Sequence, residues 1–491
     1  MSLTKVSYSM ISDNVINVLD YGATGNGTTD DSVAIQAAIT AANNLQIATG
    51  LTPRTIVFFP AGVYLCKSTL TCSPFINYVG VRATTTDSGS NFATLTSSRG
   101  SIIRAHTDIY TNNHSSFGVL CYVPTGDITF RDLTFTGTGS INSNPSIGIQ
   151  WGSSGTSRSF ETSTTGTVSG VVVEDCNFYS CTAGWDSYTL NDSFFYQVRF
   201  ESNTVGISFG FNSISNAGFQ AQFIGCVWFA SSLAMAFNSA PTYDIRVIGG
   251  YFQGTADNSK HVYTVNSTPA SSYRLTFCGV DFNHTSSVGT AHFYMAGYFQ
   301  GATNRTIVSD CTFTSGQIYF AAGSGTTGFS NWSFNNCNYL FSPFNMNKVS
   351  HGTINGGSFY NSPVSLDNSS LIDIHDAKFE AVSSGYAIDL STINCGDNRV
   401  YNNYFNNNSG NINIANSASN ASTYMSNNKG ISVSPVVGII NDTINGITFS
   451  NLGTPANGST VYCPDGTIAN PVAGSGTGCF AKRLNGVWVG N

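Results

Sequence analysis

Twelve times between residues 130 and 430 the chain repeats one short pattern. An aromatic closes eleven of the copies, at Phe135, Phe178, Phe200, Trp228, Phe252, Phe282, Phe313, Tyr339, Phe359, Phe379 and Phe405; the twelfth copy ends on Gly430. Five residues before each closing position stands an apolar residue: Phe130, Val173, Phe195, Phe223, Val247, Phe277, Val308, Phe334, Ile354, Ile374, Val400 and Met425. Three residues before it stands Asp, Asn or Gly in eleven of the twelve copies, Gln197 being the exception. Closing positions follow one another at 20 to 31 residues, except for a gap of 43 between Phe135 and Phe178. One strand signature per repeat, at a period of about 20–30 residues, demands a stack of coils in which each unit buries its apolar face against the next.

The same repeat accounts for residues that otherwise suggest chemistry. Cys176, Cys226, Cys311 and Cys337 share the position two before the aromatic with small or apolar residues. A free cysteine behaves as a small buried hydrophobe, so reduced, stacked cysteines are expected rather than disulfides or metal ligands. Asn335-Asn336, Asn402-Asn403 and Asn427-Asn428 suit turns. A second strand is expected after each aromatic, at Ile207 to Phe211, Val262 to Val265, His292 to Met295, Ile318 to Phe320, Ala387 to Leu390 and Ile412 to Ala415. Only 9% of residues are charged while 13% are aromatic, and there are 50 Gly. That composition has the apolar content to fold and the turn residues a β-solenoid needs.

Ahead of the repeat, Asn17 to Tyr64 reads NVLDYGATGNGTTDDSVAIQAAITAA, a spacer, then TIVFFPAGVY. Val18 to Tyr21 is expected as a strand and Thr28 to Asp31 as a helix cap. Ile35, Ala38, Ile39 and Ala42 give one apolar helical face. Ile56 to Phe59 and Val63 to Leu65 read as strands around Pro60-Ala61-Gly62. The ordered pattern D-Y-G-A-x-G-x-G-x-x-D-D, A-I-Q-A-A-I and V-x-F-P-A-G-x-Y resembles the entry segment of pectate-lyase-like right-handed parallel β-helices, a group that includes pectin-degrading enzymes and phage tailspikes. Ser2 to Asp20 resembles the opening of phage and prophage tail proteins, and Phe480 to Val489 resembles their small C-terminal modules. The resemblance implies an all-β, right-handed parallel β-helix with one N-terminal capping helix. The expected parts are a short segment 1–16, the β-helix with its cap over 17–430, and a β-rich C-terminal cap or trimerisation module over 431–491.

Several function classes are set aside. A net charge of −7 without a Lys/Arg-rich run gives no reason to propose nucleic acid. No stretch of 18 apolar residues exists, so membrane insertion is not expected. No basic segment followed by an apolar core opens the chain, and release by lysis, as for a virion part, is the expected route outside the cell. The 12 cysteines make no C-x-x-C pair and the seven histidines show no zinc spacing, so no metal is expected. Gly206-Ile207-Ser208-Phe209-Gly210 matches G-x-S-x-G without a following helix, and Gly323 to Gly328 matches G-x-G-x-x-G without a βαβ unit.

Glycoside hydrolysis requires two carboxyl groups, and carboxylates cluster twice. Glu161, Glu174, Asp175, Asp186, Asp192 and Glu201 fall between residues 161 and 201 and hold three of the chain's four Glu residues. Glu174 follows inward Val173 and Glu201 follows Phe200, so both should face outward. The first-choice catalytic set is Glu174 and Glu201 with Asp186 or Asp192; Asp175 reads as a turn residue. Trp151, Trp185 and Tyr188 are the candidate sugar-binding aromatics, although most aromatics of a solenoid point inward. The second choice is Asp373, His375 and Asp389, with Arg399 one repeat below Asp373 as an alternative ion-pair partner.

The resemblance implies a virion-tail, extracellular protein that binds and depolymerises a bacterial capsule or O-antigen, as a homotrimer attached to a baseplate or other tail protein. Hydrolysis without a cofactor is the favoured chemistry. A polysaccharide lyase, which would need Ca²⁺, Arg or Lys to neutralise a uronate, and a non-catalytic glycan-binding spike are the alternatives.

Overall fold

The computed structural model describes residues 14–48, 54–82, 100–109, 118–124, 126–137, 146–151, 170–187, 190–209, 218–237, 242–266, 272–286, 288–297, 305–322, 329–390, 395, 397–414, 423–430, 433–434, 460–463, 479–484 and 487–490. The chain divides into two compact units, Met1–Thr276 and Phe277–Asn491.

In the first unit the chain winds repeatedly through three parallel stacks of strands. One coil shows the order: Val171–Glu174 lies in the first stack, Asn177–Tyr179 in the second and Ala183–Ser187 in the third. Each strand then pairs in parallel with its counterpart one coil on, Val173 with Phe195, Phe178 with Phe200 and Trp185 with Ile207. The closing aromatics become a continuous ring stack. Phe135, Phe178, Phe200, Trp228 and Phe252 follow one another at centroid spacings of 5.2, 5.1, 5.5 and 4.2 Å with planes within 12°. All five are buried, and full burial of each ring stabilises by about 1.5–3 kcal/mol.

The second unit repeats the scheme. Phe282, Phe313, Tyr339, Phe359, Phe379 and Phe405 stack at 4.9, 5.1, 4.2, 4.6 and 5.2 Å. Val308, Phe334, Ile354, Ile374, Val400 and Met425 pair in register one coil apart. Amides satisfy the backbone at the inner turns. Asn403 accepts from Ala377 N at 3.0 Å, and its amide donates to Ile374 O at 2.9 Å and to Asn428 Oδ1 at 3.1 Å. A separate antiparallel sheet of Thr460–Cys463, Cys479–Leu484 and Val487–Gly490 lies near the C-terminal end.

The turn between the first and second strands explains the Asp/Asn/Gly column. All twelve residues there adopt a left-handed backbone: Asp132, Asp175, Gln197, Gly225 and Gly249 at φ 51° to 63°, and Gly279, Asp310, Asn336, Gly356, Asp376, Asn402 and Asn427 at φ 51° to 69°. Glycine meets no Cβ clash there, and the short polar side chains of Asn and Asp tolerate it best among the others. The expected third strands form, with shifted bounds, at Val205–Phe209, Lys260–Asn266, Ala291–Gly297, Gln317–Ala322, Ile388–Leu390 and Ile412–Ile414. Ser208 is buried in the first of these. A Cβ at Gly206 would lie 2.6 Å from Ala234 O and 2.7 Å from the Trp228 ring, so packing explains that glycine.

The entry segment differs from expectation at two points. Val18–Tyr21 is a 3₁₀ turn after the strand Val15–Asn17, because the Asn17 side chain accepts from Leu19 N at 3.0 Å and caps it. The helix runs Ser32–Ala48 with Ile35, Ala38, Ile39 and Ala42 buried. Thr28 and Thr29 lie before it in the strand Asn26–Asp30. The two aspartates divide the work at the helix start. Asp30 accepts from Ser32 N at 3.1 Å, while buried Asp31 accepts from Thr24 N at 2.7 Å, Thr24 Oγ1 at 3.0 Å and Gly25 N at 3.1 Å. Asp31 therefore ties the glycine turn to the helix. No described helix is long and apolar enough to cross a membrane.

The ten described cysteines from Cys66 to Cys395 are free thiols, and all but Cys278 are buried. Burial pushes the Cys176 and Cys226 thiols up to about 12.

Candidate functional site

The outer face of the first stack, in the first unit, gathers the charged residues that the repeat register places in adjacent columns. Four residues before the aromatics stand Arg131, Glu174 and Tyr196, and the strand pairing sets Glu174 between Arg131 and Tyr196. The next position holds the left-handed turn residues Asp132 and Asp175, one on each of the same two coils. Arg82 reaches across, its Nη1 2.7 Å from Asp175 Oδ1, and Arg131 Nε lies 3.8 Å from Asp132 Oδ2. Three carboxylates and two guanidinium groups thus share one partly exposed patch. Tyr196 and Phe194 flank it with rings stacked at 6.1 Å and 14°. Tyr196 is 36% exposed, which leaves an aromatic surface beside the acids.

The Asp132 carboxyl is held above its ordinary value. Burial is the largest cause, followed by repulsion from Asp175; Arg131 and Arg82 oppose the shift and Glu174 adds to it. A carboxyl shifted upward by burial and by a neighbouring carboxylate is a candidate proton donor.

The remaining sequence candidates fall elsewhere. Glu201 lies in the second stack, in register with Tyr179 rather than with Glu174. Its Oε2 accepts from Arg199 Nε at 2.7 Å, and the Arg199 guanidinium sits 5.4 Å over the Phe229 ring. The structure therefore does not bring Glu174 and Glu201 together, because the turn at Asp175 sends the chain onto another sheet between their positions. Asp186 lies in the third stack, between Gln150 and Ser208, and is 6% exposed. Asp192 is exposed at φ 46°, where the strand register shifts between Leu190 and Ser193, so its place is a β-bulge.

Trp185 is fully buried against Phe178 and Phe195 with edge-on rings. It offers no face to a sugar, which corrects that assignment; a ring at an inward position of a solenoid strand packs into the core. The backbone of Trp151 pairs with Val123 and Ser187, but its side chain and all of Tyr188 lie outside the described residues.

In the second unit Asp373 pairs in register with Arg399, and Arg399 Nε lies 3.8 Å from Asp373 Oδ1. His375 Nδ1 is 2.7 Å from Asp376 Oδ2, and its ring stacks on Tyr401 at 4.7 Å and 6°. Asp389 belongs to the third stack, where it accepts from Asn413 Nδ2 at 3.1 Å. Asp373 and His375 share a face of the first stack, while Asp389 lies on a different sheet.

Asp132, Arg82, Arg131, Phe194 and Tyr196 were not singled out from the sequence, although the repeat register already places Arg131, Glu174 and Tyr196 at one position. Arg82 carries no such signal, since it precedes the first copy of the repeat.

The fold and this patch define a parallel β-helix bearing a cluster of acids, arginines and aromatics on one outer face. Residues 15–87 match the family described as rhamnogalacturonase A/epimerase, pectate lyase-like, which covers the entry motif from Asn17 to Tyr64. Among solved structures, the A-module of the Azotobacter vinelandii mannuronan C-5 epimerase AlgE4 is similar at 15% identity and a TM-score of 0.46, covering 83% of this chain and 98% of that one. The Dettilon tailspike protein is similar at 11% identity and a TM-score of 0.44, covering 93% and 72%. The tailspike protein gp49 of Acinetobacter baumannii bacteriophage Fri1, a capsular polysaccharide depolymerase, is similar at 13% identity and a TM-score of 0.40, covering 75% and 60%. No curated protein matches the chain.

Proposed function

We propose that this protein is a phage-type tailspike that binds and cleaves a bacterial surface polysaccharide by glycosidic hydrolysis, with Asp132 and Glu174 as the working carboxyl groups. The observation that carries the reading is the raised Asp132 carboxyl beside Glu174 and the Arg82-bound Asp175, on a face flanked by Phe194 and Tyr196. Asp132 gives its proton to the glycosidic oxygen. Glu174 attacks the anomeric carbon, and water then releases the sugar as Asp132 takes a proton back. Asp132 and Glu174 lie on successive coils one position apart in register, and Asp132 N donates to Glu174 O at 3.1 Å. Tyr196 stacks on a sugar ring. The reading places the protein outside the cell in the virion tail, as a homotrimer joined to a baseplate or other tail protein. It requires no cofactor.

One feature favours elimination as the second reading. Arg82 and Arg131 beside the carboxylates supply the positive charge that would neutralise a uronate carboxylate. Mass spectrometry of oligosaccharides released from capsule and O-antigen preparations separates the two. Hydrolysis gives fragments that have gained water. Fragments short of one water and absorbing near 235 nm would establish a lyase. Cell binding without any fragments across the panel would establish a binding-only spike.

A further inference from the structure

The described thiols, from Cys66 to Cys395, occupy the coils of the two units. Cys463 and Cys479 instead belong to the antiparallel sheet near the C-terminal end. Their backbone placement is specific. Thr460 pairs with Lys482, Val461 with Ala481, Tyr462 with Phe480 and Cys463 with Cys479. Cys463 is the last residue of its strand and Cys479 the first of the next, so the two stand opposite each other at one end of the pairing. Residues directly opposite in an antiparallel pair have Cα atoms about 4.5 or 5.5 Å apart. Both values fall within the roughly 4.4–6.8 Å that a disulfide spans.

We propose that Cys463 and Cys479 are a disulfide site, closed when the folded protein meets an oxidised low-molecular-weight thiol such as glutathione disulfide. The thiolate of one cysteine attacks glutathione disulfide, forming a mixed disulfide and releasing one glutathione thiolate. The second cysteine loses its proton and attacks the protein sulfur of the mixed disulfide, releasing the second glutathione. The net change is two protein thiols to one disulfide and glutathione disulfide to two glutathiones. The bond closes the segment 464–478 at its base and pins the register of the two strands, since any slip would separate the paired positions. The proposal rests on the register alone and is independent of the polysaccharide reading.

The test uses the full chain, purified reduced, equilibrated with glutathione disulfide while folded, blocked with iodoacetamide and digested before aspartates. Cleavage ahead of Asp442 and Asp465 puts Cys463 in fragment 442–464 and Cys479 in fragment 465–491. The two fragments are expected to run as one joined species that separates on reduction. The joined species should be absent from Cys463→Ser and Cys479→Ser, and strongly reduced when the chain is oxidised in guanidinium. Fragments that stay separate after oxidation of the folded wild-type protein would overturn the proposal. So would an equal yield of the joined species from the unfolded chain, because register would then play no part.

Discussion

Asp132 answers two demands that pull in different directions. Its backbone sits at φ 57°, where Asn serves as well as Asp, and its carboxyl is pushed up by burial and by Asp175. The sign of the stability effect follows from the raised value. The folded state holds the Asp132 proton more tightly than the unfolded chain, so the wild-type protein loses stability as pH rises through the folded value. The penalty is absent below the unfolded value of about 3.9. Asp132→Asn is therefore expected to raise the melting temperature at pH 7, to leave it unchanged near pH 3, and to remove activity at both. A melting temperature that falls at pH 7 would show that the carboxylate is held by favourable partners instead. Gln197 is the residue-scale counterpart without a catalytic claim. It is the one member of its column with no aptitude for a left-handed backbone, at φ 51°. Gln197→Asn should stabilise by about 1 kcal/mol, read by denaturant unfolding.

At the scale of the element, the ring stacks and the turns carry the fold. Phe200 lies between Phe178 and Trp228 with near-parallel planes. Phe200→Ala removes the ring from both neighbours and leaves a cavity, at a cost of about 3–5 kcal/mol. Asn403→Ala leaves Ala377 N and Ile374 O without their partner amide, and about 1–3 kcal/mol for each stranded buried group is expected. Both changes are read by chemical unfolding, and a loss below about 1 kcal/mol for either would contradict the packing described. The elements also show what the sequence could and could not disclose. The first turn column was legible because Asp, Asn and Gly recur there, and the structure gives the reason in its left-handed backbone. The second left-handed column holds Ser180, Ser202 and Ala230 in the first unit and Ser315, Phe341, Asn361, Ala381 and Asn407 in the second. Only two of these eight are Asn, so composition gave no sign of it. Val18–Tyr21 reads as a strand from its apolar residues, while the decisive contact is the Asn17 side chain on Leu19 N.

At the scale of the whole molecule, the repeat register carries more of the site than any local motif does. Glu174 follows an inward valine, and the register sets it between Arg131 and Tyr196. The sequence offers Glu201 as its partner along the chain, whereas the structure gathers neighbours up the stack, at Arg131 and Asp132 one coil before and Tyr196 one coil after. Sequence distance misleads in a solenoid, since residues 43 apart, such as Arg131 and Glu174, stand side by side. Arg82 was out of reach for a different reason, as only the folded chain brings it to Asp175.

The most direct test compares Glu174→Gln and Glu201→Gln with the wild-type protein for the rate of oligosaccharide release from capsule and O-antigen preparations. The site described here predicts that Glu174→Gln lowers the rate by roughly 1,000-fold or more and that Glu201→Gln, at the Arg199 ion pair, keeps it within about tenfold of wild type. Loss of release in Glu201→Gln with full activity in Glu174→Gln would contradict the account and move the chemistry to the second sheet.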